Sequence, residues 1–306
     1  MPDPDVLLRQ LAAVERLGQA SRLTRLLRHP LRYARTMWHR EVTYPRTRTE
    51  WVAACRTAFG DRMHLRLPAG ADVFLTGGKT HDSEVRLARF LIARLRPGDG
   101  LADVGAHFGY FTLLAARLVG PHGYVLALEA APRTYATLAD NVDHLPQVDA
   151  RHAAAAAAPG RMRFHEFPAR YSEYNSFDVS QFEREPWFGS HPPRVVDVAT
   201  VALGEVLAQA ARPISVIKVD VEGAEDVVVA GARDYLRAAS PIVVLEYLGP
   251  ARGNAPHRAA AAELHALGYA PHAITAAGTL APVGDVEAHL ARAGADSDNI
   301  AFARAA

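Results

Sequence analysis

From residue 82 onward the chain alternates short apolar runs with helical periodicity, and this alternation restricts the fold more than any other feature. Val85, Ala88, Leu91, Ile92 and Leu95 share one face of a helix that Asp82-Ser83 can cap and Pro97-Gly98-Asp99-Gly100 ends. Residues 101–104 then read as a strand, 110–118 as a helix closed by Gly120-Pro121, 124–128 as a second strand and 132–142 as a second helix. Further strands are predicted at 148–152, 214–220, 242–246, 269–275 and 299–304, with a helix at 224–236. Short strands separated by helices bury both faces of the sheet. The fold class is therefore α/β, a parallel sheet covered by helices on both sides.

Composition narrows the class. Of 306 residues, 49% are hydrophobic and 22% charged, which excludes a disordered chain. Cys55 is the only cysteine, so a disulfide framework, a multi-cysteine zinc site and an iron–sulfur cluster are excluded. With 34 basic and 33 acidic residues the net charge is +1, against the basic face that nucleic-acid binding needs. No apolar run reaches the roughly 20 residues of a membrane span. The opening MPDPDVLLRQ lacks the layout of a signal peptide. Together with a lone thiol, these features lead us to expect a soluble, cytoplasmic protein without a membrane partner.

Two segments depart from the strand–helix rhythm. Residues 1–50 carry ten arginines against five acids. Leu7, Leu8, Leu11, Val14 and Leu17 fall at helical spacing, as do Leu23, Leu26 and Leu27 before His29-Pro30 stops the helix. Residues 1–80 are thus expected to form a helical arm on a main domain spanning 81–306. The arm would pack against that domain or form a homo-oligomer contact; a membrane or acidic-partner surface is the sharper alternative. The second departure is an insertion at about 161–197. Its stretch 164–188 holds Phe164, Phe167, Tyr171, Tyr174, Phe177, Phe182, Trp187 and Phe188. It reads either as a local aromatic cluster or as a lid over substrate.

The turn after the first predicted strand carries the chemistry. Its sequence, Asp103-Val-Gly105-Ala106-His107-Phe-Gly109, has the spacing D-x-G-x-x-x-G instead of the G-x-G-x-x-G of a dinucleotide site. Glycine lets backbone approach a ligand closely, and the free N–H groups of the turn favour an anion. An acid two residues before the first glycine would repel a pyrophosphate and attract an ammonium. S-adenosylmethionine carries an ammonium, a carboxylate and a sulfonium, and so suits this loop. Glu129 stands 26 residues beyond Asp103 at the end of the next strand, where an acid can accept hydrogen bonds from ribose hydroxyls.

At these residues the chain resembles the FkbM-type branch of the class I adenosylmethionine-dependent methyltransferases. The resemblance covers roughly residues 80–306. It rests on DVGAHFGYFTLLAA (103–116), LEAAPRTYATLADNV (128–142), IKVDVEGAEDVVVAGARDYL (217–236), PIVVLEY (241–247) and the closing NIAF (299–302). The family's Leu-Asp before the third run reads Val201-Ala202 here. The resemblance implies a Rossmann-like, seven-stranded, mostly parallel sheet whose last strand is antiparallel. It also implies that Asp103, Gly105, Ala106 and Gly109 line the methionine end of the cofactor. Glu129 and Ala130 would meet the ribose and Ala153 the adenine, with Glu84 a further cofactor candidate.

Methyl transfer to a hydroxyl needs positioning and a proton acceptor. Asp220 and Glu222 end the fourth strand of the sheet and Glu246 the fifth, so all three are expected at the methyl edge, with His107 in the cofactor loop as a fourth candidate. A general base is the first mechanism. A hard divalent ion on Asp220 and Glu246 is the alternative, disfavoured because no compact ligand cluster is visible in the sequence. Lys218, in a buried strand, should form an internal salt bridge. The resemblance implies a small-molecule hydroxyl acceptor, on a natural product or sugar. A nucleic-acid methyltransferase and a non-catalytic cofactor-binding module are the competing readings.

Overall fold

The computed structural model describes residues 3–183 and 185–304. Residues 1–2 and 305–306, at the ends of the two expected units, and position 184 of the insertion lie outside the described residues. The first 80 residues hold α1 (Pro4–Gln19), α2 (Arg22–Arg28), α3 (Pro30–Trp38), one π-helical turn (His39–Thr43), α4 (Tyr44–Thr47), β1 (Trp51–Arg56), β2 (Arg62–Leu67) and α5 (Ala71–Thr76). The chain continues through α6 (Asp82–Arg94), β3 (Gly100–Val104), α7 (Tyr110–Val119), β4 (Tyr124–Glu129), α8 (Pro132–Val142), β5 (Val148–His152), β6 (Ala154–Ala156), β7 (Gly160–Glu166), β8 (Arg194–Ala202) and α9 (Leu203–Ala208). It ends with β9 (Ile214–Val219), α10 (Glu225–Ala239), β10 (Ile242–Leu248), α11 (Ala255–Ala266), β11 (Tyr269–Ile274), β12 (Leu280–Pro282), α12 (Val286–Ala293) and β13 (Ser297–Arg304).

The main sheet runs β12-β11-β13-β10-β9-β3-β4-β5. Strands β5, β4, β3, β9 and β10 pair in parallel, and β13 lies antiparallel to both β10 and β11. The sheet has eight strands where seven were expected. The extra one, β12, is a three-residue edge strand ending in Pro282, too short to show a pattern and sited where a proline costs no ladder bond. All five residues of β3 are buried, as an apolar run between two helical layers requires. One core packs α6 and α7 on one face of the sheet; the other packs α9, α10 and α11 on the opposite face. The strand order reverses between β3 and β9, and the crevice beyond the carboxyl ends of these strands is where an open α/β sheet binds ligands.

The arm is not purely helical. Residues 51–67 form an antiparallel hairpin in which Met63, Leu65 and Leu67 alternate inward and join the same core as Leu101 and Leu113. Leu7, Leu11 and Val14 are buried on α1, which packs on α6 and α5. Asn141 of α8 secures the hairpin: its side chain accepts from His64 N–H at 2.7 Å and donates to the carbonyls of His64 and Phe108 at 2.9 and 2.8 Å. At the start of α6 the cap position is His81, not Asp82-Ser83; Asp82 lies in the first turn and Ser83 meets the His81 ring. The insertion is also more regular than expected. Its flanks are β7 and β8, which with β6 make a three-stranded sheet in the order β6-β8-β7, and short 3-10 turns occupy the span between them. Among the described residues no helix is long and apolar enough to cross a membrane.

Candidate active site

A cavity of about 680 Å³ opens at the carboxyl edge of the sheet. Glu84, Gly105, Ala106, His107, Glu129, Ala130, Ala153, Asp220, Glu222 and Glu246 all line it, so most of the sequence-derived candidates converge on one space. Asp103 and Gly109 do not. Gly109 caps α7 with φ 90°, and a Cβ there would sit 2.7 Å from Leu138 Cδ1, so it shapes the turn and touches no cavity.

Asp103 requires the larger correction. It was expected to attract a ligand ammonium, yet its carboxylate is sealed beneath the loop at 1% exposure. Strand register sets it opposite Lys218 in β9. Lys218 Nζ lies 3.3 Å from its Oδ1, and Thr112 Oγ1 donates to its Oδ2 at 2.7 Å. The ammonium that this carboxylate attracts is therefore the protein's own. Lys218 also reaches Asp220 at 3.2 Å and donates to the Gly105 carbonyl at 3.3 Å. Burial opposes its charge, but Asp220 and Asp103 overcome that and hold the ammonium above the usual lysine range. The internal salt bridge expected of Lys218 is present, and it joins the floor of the glycine loop to the methyl edge.

The loop itself is tightly set. Gly105 and Ala106 donate to the Leu128 carbonyl at 3.0 Å each, and a Cβ on Gly105 would collide with the Asp220 carbonyl oxygen. Glu129 accepts from His107 N–H at 2.9 Å and Ala131 N–H at 2.8 Å. Burial pushes its carboxyl up to about 7, against the pull of those two N–H groups. Glu129 lines the cavity, where lone pairs not taken by those N–H groups can accept from hydroxyls. Ala130, Ala153, Ala154 and Leu128 beside it offer an apolar wall. This donor and acceptor set fits the ribose and adenine of a nucleoside.

At the opposite wall, one oxygen from each of Asp220, Glu222 and Glu246 lies within 4.8 Å of the others. The sequence shows no such compact cluster, because Asp220 and Glu222 follow the end of β9 while Glu246 lies within β10, which runs two residues beyond the expected strand end at Glu246. Three carboxylates this close cannot all ionise freely. Burial favours the neutral form of Asp220, but Lys218 outweighs it and keeps Asp220 below the ordinary aspartate range. Glu246, buried beside Asp220 and Glu222 and hydrogen-bonded to Asp220, is held well above the ordinary glutamate value. Burial and the charge of Asp220 do the same to Glu222, whose backbone sits at φ 53° and whose Oε2 finds no hydrogen-bond partner among the described residues. Glu225 braces this turn from below, accepting from Gly223 N–H at 3.2 Å and lying 3.2 Å from His257 Nε2.

His107, expected as a base candidate in the loop, lines the cavity with Nε2 3.0 Å from Ser172 Oγ. Burial lowers it to about 4, so it is a neutral imidazole at physiological pH. Ser172 belongs to the insertion, which closes one side of the site. Tyr171 and Tyr174 stack on Trp187 at 4.1 and 5.3 Å, with Phe167 edge-on to the same ring. The aromatic cluster is thus present, and residues 170–175 and Phe177 of the same segment line the cavity. Ser176 and Gln181 donate to the Glu222 carbonyl at 2.7 and 2.9 Å, pinning the insertion to this turn. Lys79 adds a further tie, 3.0 Å from both Glu84 and Glu173. Glu84 is consequently engaged by the protein. Lys79, Ser172 and Glu173 were missed; the only sequence signal for Lys79 is that it is one of two lysines.

A family model described as the methyltransferase FkbM domain matches residues 103–271. Comparison with curated proteins gives no match. Among solved structures, similarity extends to the FkbM methyltransferase of Methylobacillus flagellatus KT, at 11% identity and TM-score 0.40, covering 78% of this chain and 56% of that one. It extends also to an S-adenosylmethionine-dependent O-methyltransferase of Thermotoga maritima, at 14% identity and TM-score 0.37, covering 83% and 78% of the two chains. An O-methyltransferase of Bacillus cereus in complex with S-adenosylhomocysteine aligns at 13% identity and TM-score 0.40, over 78% and 87%.

Proposed function

The chain belongs to the FkbM methyltransferase family and is dependent on S-adenosylmethionine, and on that premise we propose that it methylates a hydroxyl of a small-molecule natural product or sugar. The observation that carries this reading is the carboxylate trio Asp220, Glu222 and Glu246, which faces the same cavity as Glu129 and the glycine loop. The cofactor supplies an electrophilic methyl on a cationic sulfur. Glu129 would hold the ribose hydroxyls, and Gly105 and Ala106, whose N–H groups are bound to the Leu128 carbonyl, would give the cofactor a close-approaching backbone wall. Lys218 keeps Asp220 ionised, and Glu246 shares a proton with it. When an acceptor oxygen bonds to the methyl carbon and the carbon–sulfur bond breaks, the hydroxyl proton would pass to the one carboxylate that this pair leaves ionised, that of Asp220, with Glu246 holding the proton already shared. The insertion, which lines the cavity, would exclude water from the reacting atoms. A net charge of +1 favours a small acceptor over nucleic acid.

The trio also supports a second reading, in which it holds a hard divalent ion that acidifies the bound hydroxyl. Lys218 argues for the base, because an ammonium 3.2 Å from Asp220 already neutralises the charge that an ion would need. Transfer from methyl-labelled cofactor separates the readings. With the base, a chelator leaves turnover unchanged, and Glu246→Gln lowers kcat by about 10²–10⁴-fold. Cofactor affinity stays within about twofold. Unchanged kcat in Glu246→Gln removes this residue from the reaction, and loss of turnover on chelation supports the ion.

A further inference from the structure

The arm presents a surface that methyl transfer does not use. Helix α2 buries none of its residues. Leu23 and Leu27, four apart and on one helical face, are 63% and 70% exposed. Leu31 and Trp38, seven apart on α3, are 86% and 64% exposed. These are half of the large apolar side chains exposed among the described residues. The same stretch, residues 21–40, holds six arginines and no acid. Arg32 and Arg35 lie over the rings of Phe74 and Trp51 at 3.9 and 4.1 Å, which fixes α3 to the body without neutralising its charge. Arg22, Arg25 and Arg28 form no ion pair within the described residues. Arg40, at the end of the stretch, lines the catalytic cavity.

A partner for this face must match arginines and bury leucines and tryptophan together. A second copy related by a two-fold axis would set arginine against arginine, a repulsive contact. An acidic polypeptide would answer the arginines but leave Leu31 and Trp38 in water. An anionic bilayer answers both. Its phosphates take the guanidinium groups, its acyl boundary takes the leucines, and tryptophan prefers the headgroup level.

We propose that α2 and α3 form an interfacial anchor that docks the protein on an anionic lipid surface. This revises the expectation of no membrane partner. It does not depend on the acceptor being a hydroxyl, since the readout is binding. The full chain is floated with vesicles of phosphatidylcholine alone and of phosphatidylcholine mixed with phosphatidylglycerol. It should bind the anionic vesicles at least about tenfold more tightly, with binding lost at high salt. Arg22→Ser and Arg28→Ser should each weaken binding by about fivefold. Leu27→Glu combined with Leu31→Glu should abolish it while adenosylmethionine affinity is retained. Equal partition onto neutral and anionic vesicles overturns the proposal. So does parent-like binding of the double leucine variant, which would mean charge alone. A parent that sediments as a dimer without binding vesicles, and becomes monomeric in that variant, assigns the face to a second copy instead.

Discussion

Asp103 and Lys218 show how a buried charge pair changes the meaning of a motif. The acid of D-x-G-x-x-x-G is spent on an internal ammonium, and its effect on the ligand passes through Lys218 to the Gly105 carbonyl and Asp220. Removing one partner of a buried pair strands the other. Lys218→Met should therefore cost about 3–5 kcal/mol in urea unfolding, because Asp103 would keep a carboxylate at 1% exposure with only Thr112 as partner. Glu129 is the residue left facing the ligand. An ionised carboxylate accepts from both ribose hydroxyls and a protonated one does not. With the group pushed up to about 7, cofactor affinity should rise as pH increases from 6 to 8. Calorimetry across that range tests this, and Glu129→Gln should bind at least about tenfold more weakly with a flattened profile.

Among the elements, α8 and the β1–β2 hairpin make the instructive pair. The sequence predicts α8 well, since its apolar positions and Pro132 at the first turn are local signals. Nothing in it reveals that Asn141 holds the hairpin and the Phe108 carbonyl at once. Asn141→Ala would leave two backbone groups of His64 and one of Phe108 without that side chain. A loss of about 2–3 kcal/mol is expected in denaturant unfolding. The insertion behaves alike: its aromatic composition marks the segment, but its seating through Ser172, Ser176 and Gln181 depends on meeting His107 and the Glu222 carbonyl.

At the scale of the whole molecule, the arm and the main domain share one core. Met63, Leu65 and Leu67 of the hairpin pack in the same cluster as Leu87, Leu101 and Leu113, and Leu7 and Leu11 of α1 join it. The arm also supplies Leu65, Asp72 and Lys79 to the cavity wall. A chain beginning at residue 81 should consequently aggregate or exchange its amides as a molten species, measured by size-exclusion chromatography and hydrogen exchange. A monomeric, cooperatively folded product would restore the arm to the status of an appendage.

Seven strands of the main sheet, the helices α6, α7, α8 and α10, the glycine turn and the acids at 129, 220, 222 and 246 were legible in the residues, because each rests on local periodicity or on spacing within one strand–helix–strand unit, whereas the β1–β2 hairpin and the β6-β8-β7 sheet were not. Tertiary structure alone settled who neutralises whom. Lys218 reaches Asp103 only through the pairing of β3 with β9, and Glu246 approaches Asp220 only where β9 ends beside β10. Such contacts join residues more than a hundred or some two dozen positions apart. Coulomb interactions and burial depend on distance in space, which a linear chain does not carry until it is packed.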